Sequence, residues 1–392
     1  MKSLFRVIRY SSIGVFFAGI VSVLAGCSER EGVLGLILLI LLQFCSGPAA
    51  DLSGNGGVTG PPIVFAVVVN QQTDSVTVID LSDNSTTEIT TGDGPTDVAI
   101  SPDGTKAVVV NRGDNNVTII NLINNTTATV SVGNTPTDVA ITPDGTKALV
   151  PNEFGGTVTI INLSNNATTT VAGISSPREV AITPDGSKAV IGRFGTNVTI
   201  IDLSNNATTA VGVGTDPRHV AISPDGTKAV TANRGSDNAT IINLSNNATT
   251  TIGAGTDPSD VAISPDSSKA VVANYDSSNV TIIDLTNNTT ATVAAQATPF
   301  AVAITPDGSK AVVTNFDGAS ATIIDLSTNT PTNIGTGDDN PQAVAVSPDS
   351  SKAVVVNRVA SSHVTIIDLS NNTAFIFSPP GATRFDVAIG VR

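Results

Sequence analysis

The sequence has very few of the side chains on which most cofactor and metal sites depend. Its 392 residues include no Trp, one Met, two Cys and two His, and aromatic residues make up only 4%. Two Cys are too few for a disulfide framework, and Cys27, Cys45, His219 and His363 lack the spacing of a Cys/His zinc site. So few aromatic residues also leave little material for haem pockets, sugar-stacking platforms or base-stacking surfaces. The composition therefore predicts no cofactor and no metal site.

Positive charge is scarce as well. The chain has 19 Lys and Arg against 33 Asp and Glu, which gives a net charge of −14. A negative field repels phosphate backbones, so nucleic acid is not expected as a partner. Hydrophobic residues, in contrast, make up 40% of the chain, which is enough apolar surface for a large core.

The N-terminus has the pattern of an export signal. Three basic residues among the first nine precede an apolar stretch at 13–25, which is too short to span a bilayer. This stretch ends in Leu24-Ala25-Gly26-Cys27, which resembles a bacterial lipobox, where the Cys is acylated and becomes the new N-terminus. The resemblance implies a signal peptide at 1–26 and a membrane-anchored lipoprotein of the cell envelope, facing the periplasm or the exterior. The alternative is a chance Cys behind an uncleaved anchor.

Residues 27–62 form a second segment. It contains another apolar run, Val33 to Phe44, which is followed by Cys45. This run either lies at the membrane surface beside the acyl chains or forms one interrupted anchor with the first run. Residues 46–62 are rich in Gly, Pro, Ser and Ala and are typical of a flexible tether. The folded domain is therefore predicted at 63–392.

This domain is built of repeats. The tetrapeptide Ser/Thr-Pro-Asp-Gly, or its variant ending in Ser, recurs every 40 to 42 residues with Pro at 102, 143, 184, 224, 265, 306 and 348. Between these turns recur phrases such as Asp-Val-Ala-Ile, Lys-Ala-Val-Val-Val-Asn and Val-Thr-Ile-Ile-Asn-Leu, followed by a Thr-rich run. Each phrase is a short β-branched stretch bounded by turn formers, so each repeat has four strands, here named A to D.

The strand count predicts a closed ring. The domain starts with B, C and D and ends with a single A at Phe385 to Ile389, so the two ends complete one blade. The prediction is an all-β fold, an eight-bladed β-propeller whose C-terminal strand joins the first blade. An open solenoid would need polar caps at its ends, and none is visible.

The repeated phrases also carry a family resemblance. Pro-x-Asp-Val-Ala-Ile-Ser-Pro-Asp-Gly-x-Lys-Ala-Val-Val-x-Asn, followed by Val-Thr-Ile-Ile-Asp-Leu, resembles the YVTN-type β-propeller repeat over about residues 63–392. The resemblance implies a cell-surface or secreted propeller. YVTN-type propellers more usually have seven blades, so seven is the alternative count. WD-type repeats are excluded because the chain has no Trp.

Sequence variation separates the two rims of the ring. The A–B and C–D turns share one rim, here the repeated rim, which carries the seven Lys that follow the A–B turns. The B–C and D–A loops share the other, here the variable rim, where both His and most Arg and aromatic residues fall. Loops on a rigid scaffold commonly carry binding, although loop drift would also diversify them. The predicted binding residues are Arg178, Glu179, Phe194, Arg218, His219, Arg234, Tyr275, Phe300, Phe316 and Arg358.

From this rim we expect a monomeric, non-catalytic envelope propeller that binds another envelope protein or a surface polymer. A small anionic ligand in the channel is the alternative partner. The alternative is a lactonase-like hydrolase or lyase acting on a small anion in the central channel. Arg178-Glu179 and Arg218-His219 occupy equivalent positions of neighbouring A strands. His219 would then act as the base and the arginines would hold the anion. The sequence contains no phosphate loop or nucleophile elbow.

Overall fold

The computed structural model describes residues 63–337, 340–358, 363–379 and 384–392. These residues belong to one compact unit, Gly60–Arg392. The predicted signal peptide, Cys27 and the tether lie outside the described residues. In the part of the chain that is described, no helix is long and apolar enough to cross a membrane.

The domain consists of eight four-stranded antiparallel sheets, here called blades 1 to 8. The first four blades, each in the order A to D, comprise β32 (Arg384–Val391), β1 (Val64–Asn70), β2 (Ser75–Asp80) and β3 (Thr86–Thr90); β4 (Pro95–Ile100), β5 (Lys106–Asn111), β6 (Asn116–Asn121) and β7 (Thr127–Ser131); β8 (Ala140–Ile141), β9 (Lys147–Asn152), β10 (Thr157–Asn162) and β11 (Thr168–Ala172); and β12 (Pro177–Ile182), β13 (Lys188–Arg193), β14 (Asn197–Asp202) and β15 (Thr208–Gly212).

Blades 5 to 8 comprise β16 (Pro217–Ile222), β17 (Lys228–Asn233), β18 (Asn238–Asn243) and β19 (Thr249–Gly253); β20 (Pro258–Ile263), β21 (Lys269–Asn274), β22 (Asn279–Asp284) and β23 (Thr290–Ala294); β24 (Pro299–Ile304), β25 (Lys310–Asn315), β26 (Ser320–Asp325) and β27 (Thr330–Gly335); and β28 (Pro341–Val346), β29 (Lys352–Asn357), β30 (Val364–Asp368) and β31 (Thr373–Phe377). One short 3-10 turn, Arg234–Ser236, lies in a B–C loop.

The ring closes as predicted. The C-terminal β32 pairs with β1, and Ile63 and Arg392 exchange backbone hydrogen bonds of 2.9 and 3.1 Å at the end of this pair. Each A strand contacts the A strands of both neighbouring blades, so the A strands line the centre. The count of eight blades is confirmed, and the seven-bladed alternative is wrong.

The core lies between the blades. Eight clusters of buried apolar side chains alternate with the blades around the described ring, one at each interface. The B and C strands are buried on both faces, which explains why they are continuous β-branched runs rather than alternating ones. The outer D strands are mostly exposed and rich in Thr.

The turns have the geometry that their residues predict. In the A–B turn of blade 2, Gly104 has φ +66°, and Asp103 accepts hydrogen bonds from the Ser101 hydroxyl and the Thr105 amide. Ser267 and Ser350, which replace this glycine, are held at φ +60° and +61°. Their hydroxyls accept hydrogen bonds from backbone amides in the preceding blades at 3.1 and 3.0 Å, and these bonds offset the strain.

One strand is shorter than predicted. In blade 3 the A strand spans only Ala140–Ile141, with an isolated bridge from Pro136 to Asn152. The cause lies on the partner strand, where Pro151 occupies the position that faces the start of strand A. Proline has no amide hydrogen for the ladder, so the pairing is interrupted there.

The repeated rim is held by its lysines. Lys106 donates to the carbonyl of Leu163 in the next blade at 2.5 Å, and five further lysines make the equivalent bond. These five are Lys188, Lys228, Lys269, Lys310 and Lys352. The recurrence of Lys along the sequence therefore has a structural cause, since each bond joins two blades.

Candidate functional site

A bulge at the start of the inner strand turns two consecutive side chains toward the channel. In blade 5 the A–B register shifts between Pro217 and His219, and equivalent shifts occur in blades 2, 4, 6 and 8. Neighbouring residues of a regular strand point to opposite faces, whereas a bulge re-aims them. Arg218 and His219 consequently both line the same cavity.

This cavity of about 950 Å³ lies at the variable-rim end of the channel. Nine of the ten predicted binding residues line it: Arg178, Glu179, Arg218, His219, Arg234, Tyr275, Phe300, Phe316 and Arg358. Phe194 is not part of its wall. The Phe194 ring is 59% exposed and lies 5.4 Å from the guanidinium carbon of Arg178, so it contacts the site from outside.

The third residue of seven A strands, together with Asp138 at the equivalent position before the short A strand of blade 3, forms a ring around the channel, here the acidic ring. In blade order its members are Asp386, Asp97, Asp138, Glu179, His219, Asp260, Ala301 and Ala343. The carboxylates also join the blades. Asp97 accepts the amide of Val139 at 2.7 Å and Asp260 accepts that of Val302 at 2.7 Å, each from the next blade. Each of these two aspartates therefore links its blade to the next one.

Three acidic-ring residues, Asp97, Asp138 and Asp386, are here called the acid trio. Burial, together with the neighbouring Asp138 and Asp386 carboxylates, raises the pKa of Asp97 well above its usual range. Burial raises the pKa of Asp138 and of Asp386 as well. The Asp97 carboxyl is hydrogen-bonded to those of Asp138 and Asp386. Two carboxyl groups form such a bond only when one of them holds a proton. The trio therefore retains protons between its members at pH values where an exposed Asp has lost its own.

His219 lies between two carboxylates. Its Nδ1 is 2.9 Å from Oε2 of Glu179 and 3.1 Å from Oδ1 of Asp260. Burial disfavours the imidazolium, but these two carboxylates outweigh it and raise the pKa of His219 well above its usual value. Burial raises the pKa of Glu179 to about 7 despite the imidazolium beside it. The His219 side chain is 37% exposed, toward the cavity, so a ligand can reach it.

Three arginines, here the arginine wall, line the cavity next to the acidic ring: Arg178, Arg218 and Arg234. Arg178 binds Glu153 at 3.0 Å, and Arg234 binds Asp257 at 2.5 Å. Arg218 forms no salt bridge with any residue that the structure describes. Burial, and then the positive charges of Arg234 and Arg178, lower the pKa of Arg218. The wall thus contains one guanidinium that has no salt-bridge partner within the described part of the chain.

The aromatic residues form a second wall beside it. The Tyr275 ring lies 6.2 Å from Phe300 in an edge-on arrangement, and Phe300 lies 5.6 Å from Phe316. These three residues, here the aromatic wall, come from blades 6 and 7 and follow the arginine wall around the ring. Their apolar faces line a cavity whose lining also includes many charged side chains.

Sequence reasoning missed several lining residues, including Glu153, Asp257 and Asp386. The repeated Asp-Val-Ala-Ile phrase carried the signal for the acidic ring, since its Asp recurs at one strand position. Among the described residues, no group of three or more His, Cys, Asp or Glu has a geometry that could hold a metal ion.

The fold and this cavity define an eight-bladed β-propeller with a charged, ligand-sized pocket at one end of its channel. The chain belongs to the YNCE-like β-propeller family, whose model matches residues 99–374. The YVTN-type resemblance of the repeats is thereby confirmed. No curated protein matches the chain.

Several solved structures share the fold. Dihydro-heme d1 dehydrogenase NirN, in complex with DHE, is 18% identical with a TM-score of 0.69, over 88% of this chain and 78% of that one. Apo AztD from Citrobacter koseri is 14% identical with a TM-score of 0.65, over 84% and 99%. A functionally unknown protein from Desulfotomaculum acetoxidans is 16% identical with a TM-score of 0.59, over 83% and 98%. These likenesses show the propeller architecture.

Proposed function

We propose that this propeller is a non-catalytic binding protein that takes a small organic anion in the cavity of its variable rim. The observation that carries the proposal is Arg218, a guanidinium that lines the cavity without a salt-bridge partner among the described residues. A bound anion would remove the repulsion between Arg218 and its cationic neighbours. Arginine also binds carboxylate or phosphate through two parallel hydrogen bonds.

The size of the site supports a small ligand. Small-molecule sites occupy about 300–1,000 Å³, and this cavity, of about 950 Å³, lies within that range. Protein interfaces are flatter and larger. Of the partners that the sequence suggested, the geometry therefore favours a small anion, or the terminal anionic unit of a surface polymer, over an envelope protein.

The aromatic wall supports a flat or apolar body on the ligand. Tyr275, Phe300 and Phe316 offer ring faces beside the arginines. An aromatic or apolar ligand would bury surface there while its anionic group reaches Arg218. With the predicted lipid anchor on Cys27, the protein would be a membrane-tethered receptor for such anions in the periplasm or outside the cell.

Binding of para-substituted benzoates to the full-length protein in detergent tests the proposal. Arg218→Gln should weaken binding by about 10- to 100-fold, which corresponds to the roughly 1.5–3 kcal/mol of a hydrogen bond to a charged group. Lys147→Gln is the matched control, because it removes one positive charge from the repeated rim. Equal loss of affinity in both variants, or in neither, would contradict the proposal.

A second candidate function is acid–base catalysis on the same anion. It is favoured by one observation, the contact of His219 with Glu179, whose pKa of about 7 lets it exchange protons at neutral pH. In that case Glu179→Gln would abolish turnover of a lactone or uronate while leaving product binding intact. Absence of turnover in the unmodified protein would remove this candidate.

A further inference from the structure

The groups that line the cavity differ between opposite sides of the ring. In a ring of eight blades, blade 1 stands opposite blade 5. Arg218 and His219 belong to blade 5, whereas Asp386 belongs to blade 1 and Asp97 to blade 2. A ligand that fills the cavity therefore contacts Arg218 and His219 on one side and the carboxyl groups of Asp386 and Asp97 on the opposite side.

Two buried oxygen atoms beside the acid trio have no hydrogen-bond partner within the described part of the chain. They are Oε1 of Gln342 in blade 8 and Oγ1 of Thr96 in blade 2, whose residues are 8% and 7% exposed. Both residues line the cavity, one on each side of Asp386. An oxygen buried without a partner costs free energy, so a hydrogen-bond donor on a bound ligand would stabilise this side of the cavity.

Equivalent residues elsewhere in the ring are satisfied. The Thr137 hydroxyl donates to the carbonyl of Arg178 at 2.6 Å, and the Ser259 hydroxyl donates to that of Phe300 at 2.8 Å. The missing partner is therefore a local property of the blade 8, 1 and 2 segment, not of this strand position. Oε1 of Gln342 can only accept, so it needs a donor from outside the described chain.

An ammonium group meets these needs. It carries three donors and one positive charge. At this end it would find the oxygens of Gln342 and Thr96 and the carboxyls of Asp97 and Asp386. These carboxyls already accept backbone amides, Asp386 from Val98 at 3.2 Å and Asp97 from Val139 at 2.7 Å, so they are fixed in place.

On the basis of the proposed function, we infer that the ligand is a zwitterion that resembles an amino acid, with its two charged groups at opposite ends of a flat body. Its acidic group binds Arg218 and His219, and its amine binds at Gln342, Thr96 and the acid trio. The aromatic wall covers the body between them. An α-amino acid is too compact for this arrangement, because its two charged groups share one carbon.

Three probes with one para-substituted ring test the inference on the full-length protein by calorimetry. These are 4-(aminomethyl)benzoate, which carries both charges, 4-methylbenzoate, which carries the acid only, and 4-methylbenzylamine, which carries the amine only. The zwitterion should bind at least about tenfold tighter than 4-methylbenzoate or 4-methylbenzylamine, because it alone pairs with both the arginine side and the acid trio side of the cavity. Equal binding of the zwitterion and 4-methylbenzoate, or no binding of any probe, would overturn the inference.

Variants separate this inference from the proposed function. Asp97→Asn should reduce the affinity for 4-(aminomethyl)benzoate to that for 4-methylbenzoate and leave the latter unchanged. Gln342→Met, which keeps the side-chain length, should do the same and serves if Asp97→Asn does not fold. Arg218→Gln should weaken both acids. If Arg218→Gln acts as expected and the other two variants do not, the anion site stands and the amine site is refuted.

Discussion

The guanidinium of Arg392, the last residue of the chain, lies 5.1 Å from the ring centre of Phe65 in the first strand. Phe65 occupies the position at which the other seven B strands carry a Lys. Arg392 also donates to the carbonyl of Leu122 in blade 2, as six of those lysines do to a leucine carbonyl in their next blade. Arg392 therefore supplies the cation that the B strand of blade 1 lacks, and it joins blade 1 to blade 2 on the repeated rim.

Loss of this contact should destabilise the ring. Arg392→Gln removes the contact with Phe65 and the bond to Leu122, and we expect it to cost about 1–2 kcal/mol. Thermal melting measures this loss.

Deletion of 384–392 removes the whole inner strand of blade 1 and exposes the edge of β1, so the truncated protein should aggregate, which size-exclusion chromatography would detect. A truncated protein that elutes as a monomer and melts normally would show that the ring closes in another way.

Stability should fall as pH rises through neutrality. Folding raises the pKa of Glu179 from 4.5 to about 7. Its contribution to the free energy of unfolding is therefore fully present below pH 4.5, the pKa in the unfolded chain, and is lost as pH rises to 7. The raised pKa values of Asp97, Asp138 and Asp386 act in the same direction. Asp185 acts in the opposite direction at low pH. The hydrogen bond from the Thr183 hydroxyl lowers the pKa of Asp185 to about 2, so its contribution to stability is lost as pH falls toward that value.

The melting temperature should therefore peak at about pH 4 to 5 and decline toward pH 8. For Glu179 alone the decline corresponds to at most about 3 kcal/mol. Glu179→Gln should flatten the profile between pH 5 and 7, whereas Lys147→Gln should leave its shape unchanged. A profile that rises between pH 5 and 7 would contradict the buried carboxyl groups.

Neutralising Glu153 should strengthen anion binding. Its carboxylate lies 3.1 Å from Arg112 and 3.0 Å from Arg178, so it screens two cavity arginines. Glu153→Gln should tighten binding of 4-methylbenzoate several-fold and lower the melting temperature without ligand, because two guanidinium groups lose their partner. Calorimetry and melting of the same sample measure both effects. Unchanged or weaker binding would place the ligand away from this side of the cavity.

The predicted anchor is testable on Cys27. Cys27→Ala should abolish labelling by a palmitate analogue and move the protein out of the membrane fraction or leave its precursor uncleaved. Cys45→Ala is the control and should keep the label. Labelling that persists without Cys27 would exclude the lipobox.

The sequence by itself determined the strands, the eight blades and the closure of the ring. These follow from local phrases repeated every 40 to 42 residues, because β-branched runs and turn formers act over a few residues. It also indicated the rim that holds the cavity, since strand parity places all B–C and D–A loops on one side. Nine of the ten binding residues predicted from that rim line the cavity.

Only the tertiary structure decided how these side chains meet. The bulge between Pro217 and His219 brings Arg218 and His219 to one face, whereas strand alternation alone would have separated them. Pro151 shortened one inner strand through its effect on a partner strand, and Phe194 came to lie outside the cavity wall. The acid trio joins residues from three different blades. Such contacts join residues about 41 or more positions apart in the sequence. They form only when the ring closes and brings different repeats together, so the pattern within one repeat does not specify them.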